Sequence, residues 1–317
     1  MLTNVRKTIG ILEPKDFSEK AIKMLRSNGF KIKFFNKDDS LDNFLSNIYA
    51  LFVRLKYQIN DEFFSKAPVL KYICTPTTGL NHIDLKACKK KNIEIISLKG
   101  EIKFLNDIRA TPEHTFGLVI SLLRNYKSCL NEASKWDRDS CKGFEIFKKN
   151  IGIIGYGRVG SIVAKYFKAF DANVRYYDPK KNFIKDKDNI AEQANSIENL
   201  INNSEIIILT ASYNGEIILD KNLIDLMENK FFINTSRGEL IDETYLFDKI
   251  KKNFFKGIAL DVISNETNRL NIENALKLRT FPNVIITPHM AGATYESMWK
   301  TEEFIVNKFL QTIKSKN

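Results

Sequence analysis

Apolar bursts of about four to six residues alternate with longer amphipathic stretches along nearly the whole chain. The bursts at 9–12, 32–35, 50–53, 72–75 and 93–97 form one series of strand candidates. Those at 150–154, 173–177, 205–209, 230–234, 257–261 and 284–287 form a second. The segments between them carry helical spacing; in 18–28, for example, Ala21, Ile22 and Leu25 share one face. Strands that are apolar throughout and separated by helices predict parallel sheets covered on both faces. Two such series predict an α/β protein of two doubly wound domains. The stretch from about Leu105 to Tyr126 reads as one long apolar helix that carries the chain from the first domain into the second. The final stretch, 294–313, reads as a helix that returns to pack on the first domain. There is no internal repeat and no low-complexity linker.

The length agrees: 317 residues at roughly 150 per domain give two. With 44% apolar and 27% charged residues, disordered and fibrous classes are excluded. No apolar stretch approaches the roughly 18–20 residues that cross a bilayer, and the N-terminus lacks an apolar signal region. A cytoplasmic protein with no membrane partner is therefore expected. The four cysteines, Cys74, Cys88, Cys129 and Cys141, are far apart with no CxxC, which argues against a disulfide frame and against a metal site. The net charge of +11 raises the question of nucleic acid. Of the 49 basic residues, however, 38 are Lys dispersed along the chain, whereas phosphate-reading surfaces favour the Arg fork. No specific nucleic-acid partner is expected, although a basic field attracts small anions.

The sharpest local signal is NIGIIGYGRVGSIVAKYF, residues 150–167. Gly155, Gly157 and Gly160 follow an apolar strand and open an amphipathic helix, with Arg158 and Val159 between the last two. Each glycine has a physical task there: a tight turn, close approach of backbone to a diphosphate, and close packing of helix on strand. The helix N-terminus favours negative charge. The next strand ends in Asp178, 18 residues beyond Gly160, near the spacing of an acid that holds the adenosine ribose. An acid there favours NAD over NADP, since a 2′-phosphate would be repelled. Lys180 and Lys181 soften that preference.

Three more strands of this series end in chemistry. Arg237 lies in NTSRGELID, Glu266 in ALDVISNE and His289 in VIITPHMAGAT. In open α/β sheets ligands bind at the carboxyl ends of strands. An Arg, a Glu and a His at that edge are the residue types that hydride transfer to a 2-keto acid needs. A guanidinium holds the carboxylate and polarises the carbonyl. An imidazole gives the carbonyl oxygen its proton and takes it back. A carboxylate beside the imidazole orients it and stabilises its charged form.

On GIIGYGRVG, INTSRGELIDE, GIALDVISNE and ITPHMAGAT, the chain resembles the D-isomer-specific 2-hydroxyacid dehydrogenases, the group that includes D-3-phosphoglycerate dehydrogenase, glycerate dehydrogenase and D-lactate dehydrogenase. The separations of 29 residues from Arg237 to Glu266 and 23 from Glu266 to His289 fit that pattern. The resemblance runs from about Ala50 to the end. It implies a Rossmann NAD-binding domain, 104–291, inserted into a flavodoxin-like substrate domain, 1–103 plus 292–317. It also implies NAD as cofactor, a small 2-keto or 2-hydroxy acid as substrate, and a homodimer made through the NAD domain. Arg54, Thr78 and Gly79 would face the substrate's acid group. Thr111, Thr210, Thr235, Ser236, Asp261 and Gly292 would line the cofactor, Asp261 at the nicotinamide carboxamide. Lys56 could favour a second anionic group on the substrate, or could be a solvated lysine.

There are departures. Thr210 and Ser212 stand where many members carry His and Pro, and Thr267 replaces a Pro after Glu266. An alternative from another class is an NAD(H)-binding scaffold of the corepressor type with little turnover. Formate dehydrogenases, a third reading, carry Gln where Glu266 stands.

Overall fold

The structure, a computed structural model, describes residues 7–131, 136–179 and 190–316. Lys180 and Lys181 lie outside the described residues. The chain forms two compact units, one from its first 108 residues with the stretch from Ala293 onward, the other from Arg109–Gly292.

The first unit holds β1 (Thr8–Ile11), β2 (Lys31–Phe34), β3 (Ile48–Phe52), β4 (Tyr72–Thr75) and β5 (Glu94–Ser97). All pair in parallel, in the order β2-β1-β3-β4-β5. That is the flavodoxin-like order, whose direction of winding reverses between β1 and β3. The apolar runs become central strands because both faces are covered: Ile9, Ala50, Phe52 and Cys74 face the last helix, Tyr295–Lys314, while Ile48, Leu51 and Ile73 face the opposite layer. Phe309 from that helix meets Phe52 and Tyr72 edge-on at 5.8 and 5.5 Å. This burial is why the final segment belongs to the first unit. Ser18 caps the helix Glu19–Ser27, its Oγ accepting the Ala21 amide at 3.2 Å.

The second unit holds β6 (Asn150–Ile154), β7 (Asn173–Tyr177), β8 (Glu192–Gln193), β9 (Ile206–Leu209), β10 (Phe231–Asn234), β11 (Gly257–Leu260) and β12 (Val284–Ile286). The parallel sheet runs β12-β11-β10-β9-β6-β7-β8, the doubly wound order of a dinucleotide-binding fold, reversing between β6 and β9. Successive side chains serve opposite layers: Ile206 and Ile208 join one core cluster, Ile207 and Leu209 the other.

Two expectations change. The single helix expected from Leu105 to Tyr126 is instead a turn of helix at Ile102–Leu105, a helix at Ala110–Leu123 and a short one at Tyr126–Asn131. Asn125 breaks the run with φ 52°, its Nδ2 donating to the Lys142 carbonyl at 2.6 Å. The cysteine expectation is corrected: Cys129 and Cys141 form a disulfide with Cα atoms 5.5 Å apart. The helix carrying Cys129 and the 3-10 turn Asp139–Cys141 come together, which a separation of 12 residues does not reveal. Cys74 and Cys88 are buried free thiols. No helix among the described residues is long and apolar enough to cross a membrane.

Candidate active site

The second unit gathers its candidate residues at the carboxyl ends of its strands. After β6 the chain turns at Gly155 with φ +91°, a conformation that favours glycine. A Cβ there would also lie 2.5 Å from the Ala211 backbone. At Gly160 a Cβ would lie 2.2 Å from the Gly155 carbonyl, so this glycine seats the helix Arg158–Ala169 against the turn. Gly157 is different: nothing lies within 4 Å of its Cβ position, and bare backbone is exposed at the helix N-terminus. A tight turn, a close helix and an open amide edge fit a diphosphate. Burial, then the nearby Arg109 charge, lowers Arg158 below its ordinary value, so two guanidiniums make this end electropositive. Arg109 directly precedes the helix Ala110–Leu123; its only sequence cue is a cation before TPEHT. Val159 is half-buried in the first turn of its helix.

Asp178 follows β7, and its Oδ2 accepts the Tyr156 amide at 2.8 Å, so the acid also braces the glycine turn. Thr210, after β9, turns its hydroxyl inward, donating to the Gly155 carbonyl at 2.7 Å. Thr235 is buried, its Oγ1 2.7 Å from that of Thr115, which in turn donates to the Thr111 carbonyl. The Ser236 hydroxyl donates to the Ala211 carbonyl. Asn234, at the end of β10, takes the Ser236 amide at 2.9 Å and gives a hydrogen bond to the Arg237 carbonyl at 3.0 Å. The Arg237 side chain donates from Nη1 to the Ser236 carbonyl at 2.7 Å, which stiffens it beside its strand end.

Glu266 and His289 are brought together. Oε2 of Glu266 lies 2.5 Å from Nδ1 of His289, both side chains partly exposed. His289 has φ 49°, strained for a residue with a side chain. Its amide donates to the carbonyl of Asp261 at 2.8 Å. The Asp261 carboxylate, 1% exposed, accepts the Met290 and Ala291 amides at 2.9 Å each and the Thr287 hydroxyl at 2.5 Å, with His114 Nε2 at 3.3 Å. Burial alone would raise this carboxyl; those hydrogen bonds outweigh it and hold the group below its ordinary value. Asp261 thus anchors the turn that carries His289, a task that its place at a strand end did not disclose. Gly292 follows that turn, exposed and with nothing within 4 Å of its Cβ position.

Glu243 is a further residue without a sequence cue. It opens the helix Glu243–Lys251, and its Oε1 accepts the Ser264 amide at 2.6 Å, tethering the loop that leads to Glu266. Burial is the main reason its carboxyl is pushed up to about 7 from 4.5, the Glu239 and Glu266 charges adding to it against the Ser264 hydrogen bonds. A carboxyl raised on folding contributes stability that is fully present below its unfolded value and is lost as pH rises through the folded one. The wild-type melting temperature should therefore fall, relative to Glu243→Gln, between about pH 5 and pH 8. Parallel melting curves for the two proteins would refute this.

In the first unit, Thr78 and Gly79 lie in the loop after β4, where the Thr77 hydroxyl donates to the Gly79 carbonyl at 2.8 Å. Arg54 follows β3. Its Nε and Nη2 donate to Oε1 of Glu302 at 3.0 and 2.5 Å, and its Nη1 to the Lys15 carbonyl at 3.0 Å. The acid group that Arg54 holds here is the protein's own. Among the described residues no group of three or more potential metal ligands is present.

Comparison with known proteins places the chain in a family. The family profile described as "D-isomer specific 2-hydroxyacid dehydrogenase, NAD binding domain" matches residues 116–291. A Bacillus subtilis protein named as a 2-hydroxyacid dehydrogenase, YoaD, is 32% identical over 251 residues, covering 75% of this chain and 69% of its own. A Staphylococcus saprophyticus protein named likewise is 29% identical over 302 residues, covering 91% and 92%. Among solved structures, D-lactate dehydrogenase from Aquifex aeolicus, complexed with NAD and lactic acid, superposes with a TM-score of 0.81 at 26% identity, covering 97% of this chain and 96% of that one. An acyclic imino acid reductase in complex with NADPH and D-Arg gives 0.77 at 27% identity, covering 96% and 97%. The fold is that of a nicotinamide-dependent oxidoreductase. The chain belongs to the D-isomer-specific 2-hydroxyacid dehydrogenases and carries their NAD-binding domain.

Proposed function

We propose that the chain interconverts a small 2-keto acid and the corresponding D-2-hydroxy acid, with His289 as general acid and base, Glu266 orienting it and Arg237 holding the substrate carboxylate. The 2.5 Å contact between Nδ1 of His289 and Glu266 carries the reading. With Nδ1–H committed to the carboxylate, Nε2 is the nitrogen left to give a proton to the keto oxygen and to recover it in reverse. When bound, reduced NAD supplies the hydride to the carbonyl carbon. Arg237, stiffened by its bond to the Ser236 carbonyl, offers a planar fork suited to a carboxylate. Gly155, Gly157, Arg158, Val159 and Gly160 would cradle the diphosphate, Asp178 the adenosine ribose, and Thr111, Thr210, Thr235, Ser236, Asp261 and Gly292 the rest of the cofactor side. The backbone at Thr78 and Gly79 would meet the substrate's acid group.

We read the enzyme as a homodimer built through the second unit. Supporting this, Tyr126, Leu130, Trp136, Phe144 and Phe147 in that unit are exposed, Trp136 by 93%.

The test is NADH oxidation against pyruvate, hydroxypyruvate, glyoxylate, 3-phosphohydroxypyruvate and 2-ketoglutarate. Turnover of at least one is expected; binding of NADH with no turnover would favour the scaffold alternative. The cofactor preference has its own test. Asp178→Asn keeps an acceptor for the Tyr156 amide but removes the charge. It is expected to narrow the preference for NADH over NADPH about tenfold, equivalent to 1.4 kcal/mol. An unchanged preference would show that Asp178 does not read the ribose.

A further inference from the structure

In a sheet of order β2-β1-β3-β4-β5, the crevice that takes a ligand opens at the carboxyl ends of β1 and β3, where the winding reverses. Glu13 closely follows β1, and Arg54 and Lys56 follow β3. A loop of this kind has two devices for gripping an anion, a guanidinium and free backbone amides. Here both are already filled by the chain's own carboxylates. The Arg54 guanidinium is matched by Glu302, whose side chain is completely buried and whose other oxygen takes the Ser18 amide at 2.7 Å. The Arg54 and Lys56 amides go to Glu13, at 2.6 and 3.3 Å. Lys56 itself is exposed, its Nζ 5.5 Å over the Tyr57 ring.

We propose, building on the function proposed above, that Glu302 is a specificity-determining residue: by neutralising Arg54 it sets the first unit's crevice to accept an uncharged substrate end and to refuse a second anion. The substrate class is then a 2-keto acid whose side chain bears no phosphate or second carboxylate. For a second anion to use Arg54, Glu302 would have to share its cation while remaining buried, and burying an under-paired charge is costly. The two carboxylates already use the cation and the amides that a second anion would need. Burial raises both carboxyls, Glu13 and Glu302, against the lowering effects of Arg54 and the neighbouring amides. The pairing crosses 248 residues of sequence, and nothing in the loop after β3 announces it.

The test compares kcat/KM within two matched pairs, hydroxypyruvate against 3-phosphohydroxypyruvate and 2-oxopentanoate against 2-ketoglutarate. The wild type is expected to favour the member of each pair that lacks the second anionic group by at least about tenfold. Glu302→Gln retains an acceptor for Arg54 but not the charge, and should narrow both ratios about tenfold. Glu13→Gln should narrow them less, in the same direction; it leaves the buried pair intact and decides the matter if Glu302→Gln does not fold. A wild type that prefers the doubly anionic acids overturns the proposal. So do ratios that neither variant moves while NADH still binds. A wild type that reduces no 2-keto acid overturns the proposed function, and this inference with it.

Discussion

Replacing His289 with Asn is expected to lower kcat for keto-acid reduction by roughly 10²–10⁴-fold, the usual range for loss of a general acid. NADH affinity should change little. Asn is the informative substitute because the backbone at 289 has φ 49°, a region that Asn tolerates better than Ala. The Asp261 anchor, which holds the following amides, is untouched. The loss would then report the imidazole and not a displaced turn. Glu266→Gln should give a smaller fall, since Gln still offers an acceptor to Nδ1 but no charge to balance the imidazolium. Stopped-flow single-turnover measurements separate the chemical step from product release. If His289→Asn retains more than about a tenth of the wild-type chemical rate, the proton comes from elsewhere and the assignment fails.

Much of this fold is legible in the sequence because its strands are buried on both faces. Continuous apolar runs such as IIIL at 206–209 and FFIN at 231–234 stand out against amphipathic surroundings, and the strand ends observed lie within about two residues of those runs. The strand Glu192–Gln193 has no such signature, being an exposed polar pair at the edge of the sheet. The helix expected from Leu105 to about Tyr126 is shorter at both ends, starting at Ala110 and stopping at Leu123, and its stop depends on the left-handed backbone of Asn125, which apolar spacing does not encode. The site divides along the same line. Residues that end strands are visible as a sheet edge carrying Arg, Glu and His. Groups that act through long-range contact are not: His114 and Thr287 around Asp261, Glu243 beneath the Glu266 loop, and Glu302 on Arg54 come from distant segments. Local pattern encodes which residues reach an edge; only the packed chain decides which of them are already taken.

Gly238 shows how closely two of those edges are fitted. It follows Arg237 directly, and a Cβ built on it would lie 2.0 Å from the Ile263 carbonyl carbon and 2.1 Å from the Ser264 nitrogen. These are backbone atoms, so no rotamer change relieves the contact, and the two loops must part. One leads from Arg237, the other to Glu266. Gly238→Ala is therefore expected to destabilise the protein by about 1–3 kcal/mol or more, the usual cost of overpacking. For a unit of this size that lowers the melting temperature by roughly 2–12 °C. The activity loss should exceed the stability loss: a displacement of about 1 Å at a reacting centre can cost on the order of 10²-fold in rate, and here it falls between the carboxylate-holding arginine and the carboxylate that orients the imidazole. Gly117 supplies the comparison. It lies within the helix Ala110–Leu123 with nothing within 4 Å of its Cβ position. Gly117→Ala should leave kcat unchanged and raise stability by about 0.5–1 kcal/mol through helix propensity. Differential scanning calorimetry and steady-state kinetics on both variants test the contrast. A Gly238→Ala protein that melts and turns over like the wild type would mean that the two loops are not held in this contact.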